Sequence, residues 1–172
     1  VGTGVVTMTG GTLSSSSTTA YSMSNGHSLG GAVTMGDGTN TGALTLSGAG
    51  TLTANTTITV PSVVTLSGVI GGGAFSLTKA GASILTLGGA NTFTGGGTVS
   101  AGTVRVGNAS ALGSGALTMT GGVLSSSSAT AYTLTNGYSI GGAVTLGDVT
   151  NTGALTLSGA GTMTSNLALT NP

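Results

Sequence analysis

A long internal duplication constrains this chain more than any other feature. Residues 1–61 align without a gap on residues 112–172, with 42 of the 61 positions identical. Thr7-Met8-Thr9-Gly10-Gly11 returns as Thr118-Met119-Thr120-Gly121-Gly122, and residues 39–51 return as 150–162. The constant offset, which carries Gly2 onto Gly113, means that both copies share one spacing. That is the mark of an architecture that grows by stacking repeats. The chain is read as one continuous segment, residues 1–172, holding one and a half copies of a long unit (1–111 and 112–172).

Inside the unit a shorter pattern recurs, an apolar-Thr-apolar triplet followed closely by glycine. It occurs at Val6-Thr7-Met8, Val33-Thr34-Met35, Leu44-Thr45-Leu46, Val64-Thr65-Leu66 and Leu85-Thr86-Leu87, then again at Leu117, Val144 and Leu155. Alternation at period two sends Leu, Val and Met to one face of a strand and Thr to the other. Most triplets are spaced by near multiples of roughly 10 residues, which suggests a module of one short strand plus one turn. Helix is disfavoured because each interior glycine costs about 1 kcal/mol relative to alanine. An antiparallel sandwich also has many short strands. The duplication and its weaker echoes, Leu44 to Val64 and Val64 to Leu85, instead favour a coil that adds strands to a growing stack. The expected fold is all-β, a parallel right-handed β-helix, or β-solenoid, with about 18 to 24 residues per winding and so about five or six windings per unit.

Composition narrows the chemistry. Gly (35), Thr (34) and Ser (22) supply 91 of 172 residues, whereas Lys, Arg, Asp, Glu and His together supply five. With 38% apolar residues and no net charge, the chain lacks the charge-rich, apolar-poor profile of disordered sequences. Two basic residues cannot form the cationic face that nucleic acid requires, so no nucleic-acid partner is expected. The absence of Cys removes disulfides, thiol nucleophiles and thiolate metal sites. Glycine and hydroxyl residues interrupt every apolar run before it reaches the length of a membrane helix, so direct membrane insertion of the segment is not expected. The start, Val1-Gly2-Thr3, reads as an excerpt of a longer protein, with any targeting signal outside it.

Residues 77–119 carry a more specific signal. The positions Lys79, Gly81, Leu85, Leu87, Gly88, Asn91, Thr92, Phe93, Gly95, Thr98, Val99, Gly102, Val104, Val106 and Ala111-Leu112-Gly113-Ser114-Gly115 closely resemble the autotransporter-associated β-strand repeat, also called the passenger-associated transport repeat. Ser83 stands where glycine is usual, and Gly96-Gly97 lengthens a turn that is commonly one residue shorter. The resemblance implies a β-helical passenger region of a large bacterial surface protein, an extracellular or cell-surface location, help in passage through the outer membrane, and a membrane barrel elsewhere in the parent chain.

No catalytic, cofactor or metal site is expected, and the chain is not read as an enzyme. Gly26-His27-Ser28-Leu29-Gly30 spells the nucleophile elbow of α/β-hydrolases. His27 is nevertheless the sole histidine, and the second copy reads Gly137-Tyr138-Ser139-Ile140-Gly141, so this is a glycine corner after Asn25-Gly26 and Asn136-Gly137. Asp37 and Asp148 are the only carboxylates and occupy equivalent places, too far apart for the paired acids of glycoside hydrolysis. Calcium and zinc sites need more oxygen anions or His and Cys than exist here. Lys79 is expected as a solvated turn residue and Arg105 as an outward strand residue. Tyr21, Tyr132 and Tyr138 are expected to cover apolar corners. Asn55-Thr56-Thr57 and Asn108-Ala109-Ser110 match the N-glycosylation pattern weakly.

The favoured function is a structural stalk or filament, continuing or self-associating end to end with further repeats. The alternatives are an adhesin segment that spaces a binding tip, with its irregular region at about 91–112, and an ice-binding solenoid. The Thr-x-Thr triplets at Thr7, Thr51, Thr57, Thr92, Thr118, Thr133 and Thr162 suggest the last, but they do not recur once per winding.

Overall fold

The computed structural model describes residues 2–164 and 169–170. Among these residues every strand pairing is parallel and there is no helix, so the chain is a β-solenoid. A parallel neighbour cannot be reached by a tight hairpin; the chain must travel around and return above its starting point. Eight windings result, as the 8-stranded sheet along one side records. Leu85 to Val104 is among the shortest register steps, and Val33 to Ile58 among the longest.

Each winding carries three strand positions, which define three faces. The first winding holds Val6–Met8, Thr12–Leu13 and Tyr21–Met23. The second lays the long strand His27–Met35 over the first two of these and Leu44–Leu46 over the third. On the second face the stack then rises through residues 56–59, Leu77–Ala80, Gly97–Val99, Leu117–Met119, Tyr138–Ile140 and Gly161–Met163. On the third it rises through Val64–Leu66, Ile84–Leu87, Thr103–Val106, Gly122–Ser126 and Val144–Leu146 to Leu169–Thr170. The expected module of one short strand plus one turn at near multiples of roughly 10 residues is therefore too coarse: each winding fits three strand positions. The triplet pattern overlooks strands such as Tyr21–Met23 and the start of His27–Met35, whose hydroxyl positions are serines.

Period-two alternation builds the core directly. Leu44, Val64, Leu85, Val104 and Leu124 stand in one inward file of the third face, all nearly or fully buried. Between the inward files point the hydroxyls: Thr57, Thr78, Thr98, Thr118, Ser139 and Thr162 form one outward file over six successive windings. Each inward side chain is covered in part by its equivalents above and below, so burial depends on stacking and no single winding has a core of its own.

The first face is less regular. Residues 91–93 and 111–112 lack strand pairing, yet Asn91, Phe93, Ala111 and Leu112 are buried. The expected irregular region at about 91–112 thus stays in the stack, and no protruding loop forms there. Glycine is required at one contact of this region: Gly113 has φ +66°, and a Cβ there would lie 2.8 Å from Cδ2 of Phe93.

The two copies do not occupy equivalent faces. Val6–Met8 lies on the first face, whereas its equivalent Leu117–Met119 lies on the second. Tyr21–Met23 lies on the third, whereas Tyr132–Leu134 has moved round to the first, where it pairs with Leu155–Leu157. Residues 33–35 sit on the second face and Val144–Leu146 on the third. Five complete windings and one further face separate each equivalent pair. The long unit therefore makes five and one third windings, each of about 21 residues, within the range of solenoid repeats.

If windings are interchangeable, deleting residues 97–116, one register step from Gly97 to Leu117 on the second face, is expected to leave a shortened but cooperatively folded solenoid. Deleting residues 97–106, which breaks register, is expected to abolish it. Circular dichroism and thermal unfolding of the two variants distinguish these outcomes.

Candidate functional site

Three groups of polar side chains that leave the outward files combine charge or burial with specific contacts: a buried lysine with two asparagines, an ion-pair loop, and a buried histidine. The first group ties corners of the stack. Lys79 belongs to the strand Leu77–Ala80 and stands in register with Ile58 below and Val99 above, inside an otherwise apolar file. It is 2% exposed, which corrects its expected place as a solvated turn residue. The alternation Leu77-Thr78-Lys79 directs it inward, and its four-carbon stem fills the core position. Its Nζ donates to the carbonyls of Ala80 (2.9 Å), Gly81 (2.7 Å) and Ala101 (3.1 Å), tying two successive corners together.

Asn91 forms a similar tie one corner later. Its Oδ1 accepts from the Ile70 amide (2.8 Å) and its Nδ2 donates to the Ala111 carbonyl (2.6 Å), so one side chain spans three windings where strand pairing fails. Buried Asn136 donates to the carbonyls of Gly113 (3.0 Å) and Gly115 (2.6 Å). Buried backbone groups without partners are costly, and these amides supply the missing bonds. The spacing of Lys79 and Asn91 within the repeat motif is visible in the sequence, but nothing in it reveals that both point inward.

The second group is a loop present in both copies. Asp148 Oδ1 accepts from the amides of Thr150 (2.8 Å) and Asn151 (2.7 Å), while Oδ2 accepts from Ser125 Oγ (2.8 Å) and Arg105 Nε (3.2 Å). Burial alone would raise its pKa. The bonds from Asn151, Ser125 and Thr150 and the Arg105 charge outweigh that and hold the carboxyl well below the usual range. In the first copy Asp37 accepts from the amides of Thr39 (2.7 Å) and Asn40, and the Asn40 bond is the main cause of its lowered pKa. Both aspartates sit in turns, as expected, more than five windings apart. Arg105 points outward from its strand, as expected, and it makes the one salt bridge among the described residues.

The third group is His27 and its surroundings. The expected glycine corner at Gly26–Gly31 is largely strand: His27–Met35 is continuous, with its register shift between Leu29 and Gly31 and a positive φ at Gly31. The elbow reading therefore fails on geometry, since a strand continues where a hydrolase needs a helix. His27 is buried, and Ser28 faces outward in register with Thr7 and Thr51. The tyrosines divide: Tyr132 and Tyr138 pack against the core, but Tyr21 is exposed. Among the described residues no group of three or more His, Cys, Asp or Glu is placed to hold a metal ion. His27 and Asp37 share a winding, but one stands on its first face and the other in the turn after its second. Lys79 and Asp148 belong to other windings, and no two of these four groups converge on a common cleft.

Residues 77–106 match the family model of the passenger-associated transport repeat. The match begins where the resemblance in the sequence begins and ends at Val106, short of Met119. It covers Lys79, Asn91, Phe93 and the third-face strands Ile84–Leu87 and Thr103–Val106. A search of curated proteins and of solved structures finds no match.

Burial pulls the pKa of Lys79 down to about 8 from its ordinary 10.5. Between these values the folded chain has released the proton that the unfolded chain still holds, so stability is expected to rise as pH goes from about 8 to 10.5. Urea midpoints across this window should show the rise in the parent chain and lose it in Lys79→Met.

Proposed function

We propose that this chain, which carries a passenger-associated transport repeat at its centre, is a structural shaft segment of a bacterial cell-surface or secreted passenger. One observation supports this reading above the others. The matched repeat lies wholly within the stack and contributes rungs to it, with Lys79 and Asn91 acting as its internal ties. Its chemistry is that of a spacer: apolar files inside, hydroxyl files outside, and charges either buried, turned into their own loops or paired. The family implies secretion or display at the cell surface, and a thin solenoid with few charges lengthens as windings are added. Every strand of such a shaft takes one partner above and one below, so further repeats extend it end to end without a new kind of contact. A tip-spacing role in an adhesin is the nearest variant of this reading. The region at 91–112 contributes no projecting loop that would favour binding within the segment itself.

Tandem fusions of residues 1–111 test the shaft. At about 4.8 Å per winding, each added unit is expected to lengthen the particle by about 26 Å at constant cross-section, as measured by small-angle X-ray scattering. Growth in all three dimensions would refute an elongating stack. Antibodies against this segment should label intact, unpermeabilised cells of the parent organism; labelling only after permeabilisation would refute surface display.

A further inference from the structure

His27 is the chain's sole histidine, and the fold completes no hydrogen bond to its ring. It is 2% exposed, with both Nδ1 and Nε2 buried. Its strand lies between Val6 below and Gly50 above. The ring rests against Gly50, at which a Cβ would meet ring atoms, and no ionisable side chain reaches it from either neighbouring strand. The other ionisable groups of this part of the chain are Tyr21, on the third face, and Asp37, which is turned into its own loop. In the second copy Tyr138 takes the equivalent register position one face further round, between Leu117 and Gly161, with its ring against Gly161. The two sites thus share a local register, each ring lying under a glycine of the next winding, although they stand on different faces, His27 is the more deeply buried, and only the first site holds an imidazole.

We propose that His27 is an acid-sensitive latch: protonation of its buried imidazole loosens the first three windings, while the windings built around Tyr138 keep their stability. An imidazolium in this site has no counter-ion; the Asn25 backbone lies close enough to favour the charged ring in part, but it falls short of a formed hydrogen bond to either ring nitrogen. A buried charge so poorly compensated is strongly disfavoured. Burial lowers the pKa of the folded-state imidazole, with the Asn25 backbone offsetting part of the effect. The unfolded or opened chain therefore binds the proton more readily than the folded one. Protection is present above the ordinary histidine pKa and is lost as pH falls through the folded-state value. Between pH 7 and 5 both aspartates stay ionised and Lys79 stays charged, so His27 is the side chain that changes state. This inference does not depend on the shaft reading, since it concerns the relative stability of two parts of one stack.

Hydrogen exchange of the full chain at pH 7 and pH 5, corrected for intrinsic exchange, tests the latch. Opening around His27 should rise by up to about tenfold per pH unit below the unfolded-state pKa, in peptides covering Val6–Met8, His27–Met35 and residues 50–52. Peptides covering Leu117–Met119 and Tyr138–Ile140 should not change. His27→Tyr should remove the pH response from the first copy, and Tyr138→His should create one in the second. Equal pH responses in the two copies, or a response that survives His27→Tyr, would overturn the proposal. If one variant fails to fold, the reciprocal variant and the NMR titration of His27 still decide it, since an imidazole that titrates at or above its ordinary pKa is incompatible with the latch.

Discussion

Everything in this molecule depends on the parallel ladder between one winding and the next. A strand in a parallel stack receives its hydrogen bonds from two neighbours, each a full winding away in sequence, and its inward side chains are covered by their own equivalents one register step up or down. Backbone pairing and core burial are therefore satisfied by the same act of stacking. This limits where the spacing can change. A loop insertion would be tolerable only outside the three strand positions, and a one-residue slip within a strand would turn Leu and Val outward and Thr inward. It also explains why the ties of the corners are side chains with several donors or with both donor and acceptor. Where strand pairing lapses at residues 91–93 and 111–112, Asn91 bonds with both ends of its amide; at the preceding corner Lys79 anchors three carbonyls with one ammonium.

The parallel stack is legible in the sequence because period-two alternation and the fixed offset between the copies both encode it. The winding itself is legible only in part. Thr triplets mark Leu44–Leu46, Val64–Leu66 and residues 85–87 on the third face, where consecutive windings repeat the pattern. The first face also uses His-Ser-Leu and Tyr-Thr-Leu, and a search for one triplet passes over them. Lys79 shows a second limit. Its alternation with Leu77 points inward, but charge argues outward, and the direction is decided by carbonyls at Ala80, Gly81 and Ala101 that come together only after the chain has gone round. For His27 the comparison with Tyr138 discloses an aromatic site, whereas its burial follows from Gly50 arriving over the ring from the next winding.

The few charges are placed by the same logic. Asp37 and Asp148 occupy one equivalent turn, where backbone amides outside the ladder need an acceptor, and Thr39, Asn40, Thr150 and Asn151 supply those amides. Arg105 reaches Asp148 because its strand lies two windings below on the same face, so the pair links windings that are not in direct contact. Such a partly exposed pair adds about 1 kcal/mol or less to stability. Carboxylates held apart in this way, each saturated by its own turn, are poor material for proton transfer or metal binding.

The one-third-turn mismatch between unit length and winding length has a geometric result for any protein that strings such units together. Identical side chains in successive units look out in three different directions, and the same direction recurs only after three units, or sixteen windings, about 77 Å along the axis. A substituent that drifts in during duplication is spread around the circumference and never accumulates as a continuous seam. A rod decorated in this way has no preferred side by which to zip against a parallel neighbour, so its length can increase without a matching increase in sideways stickiness.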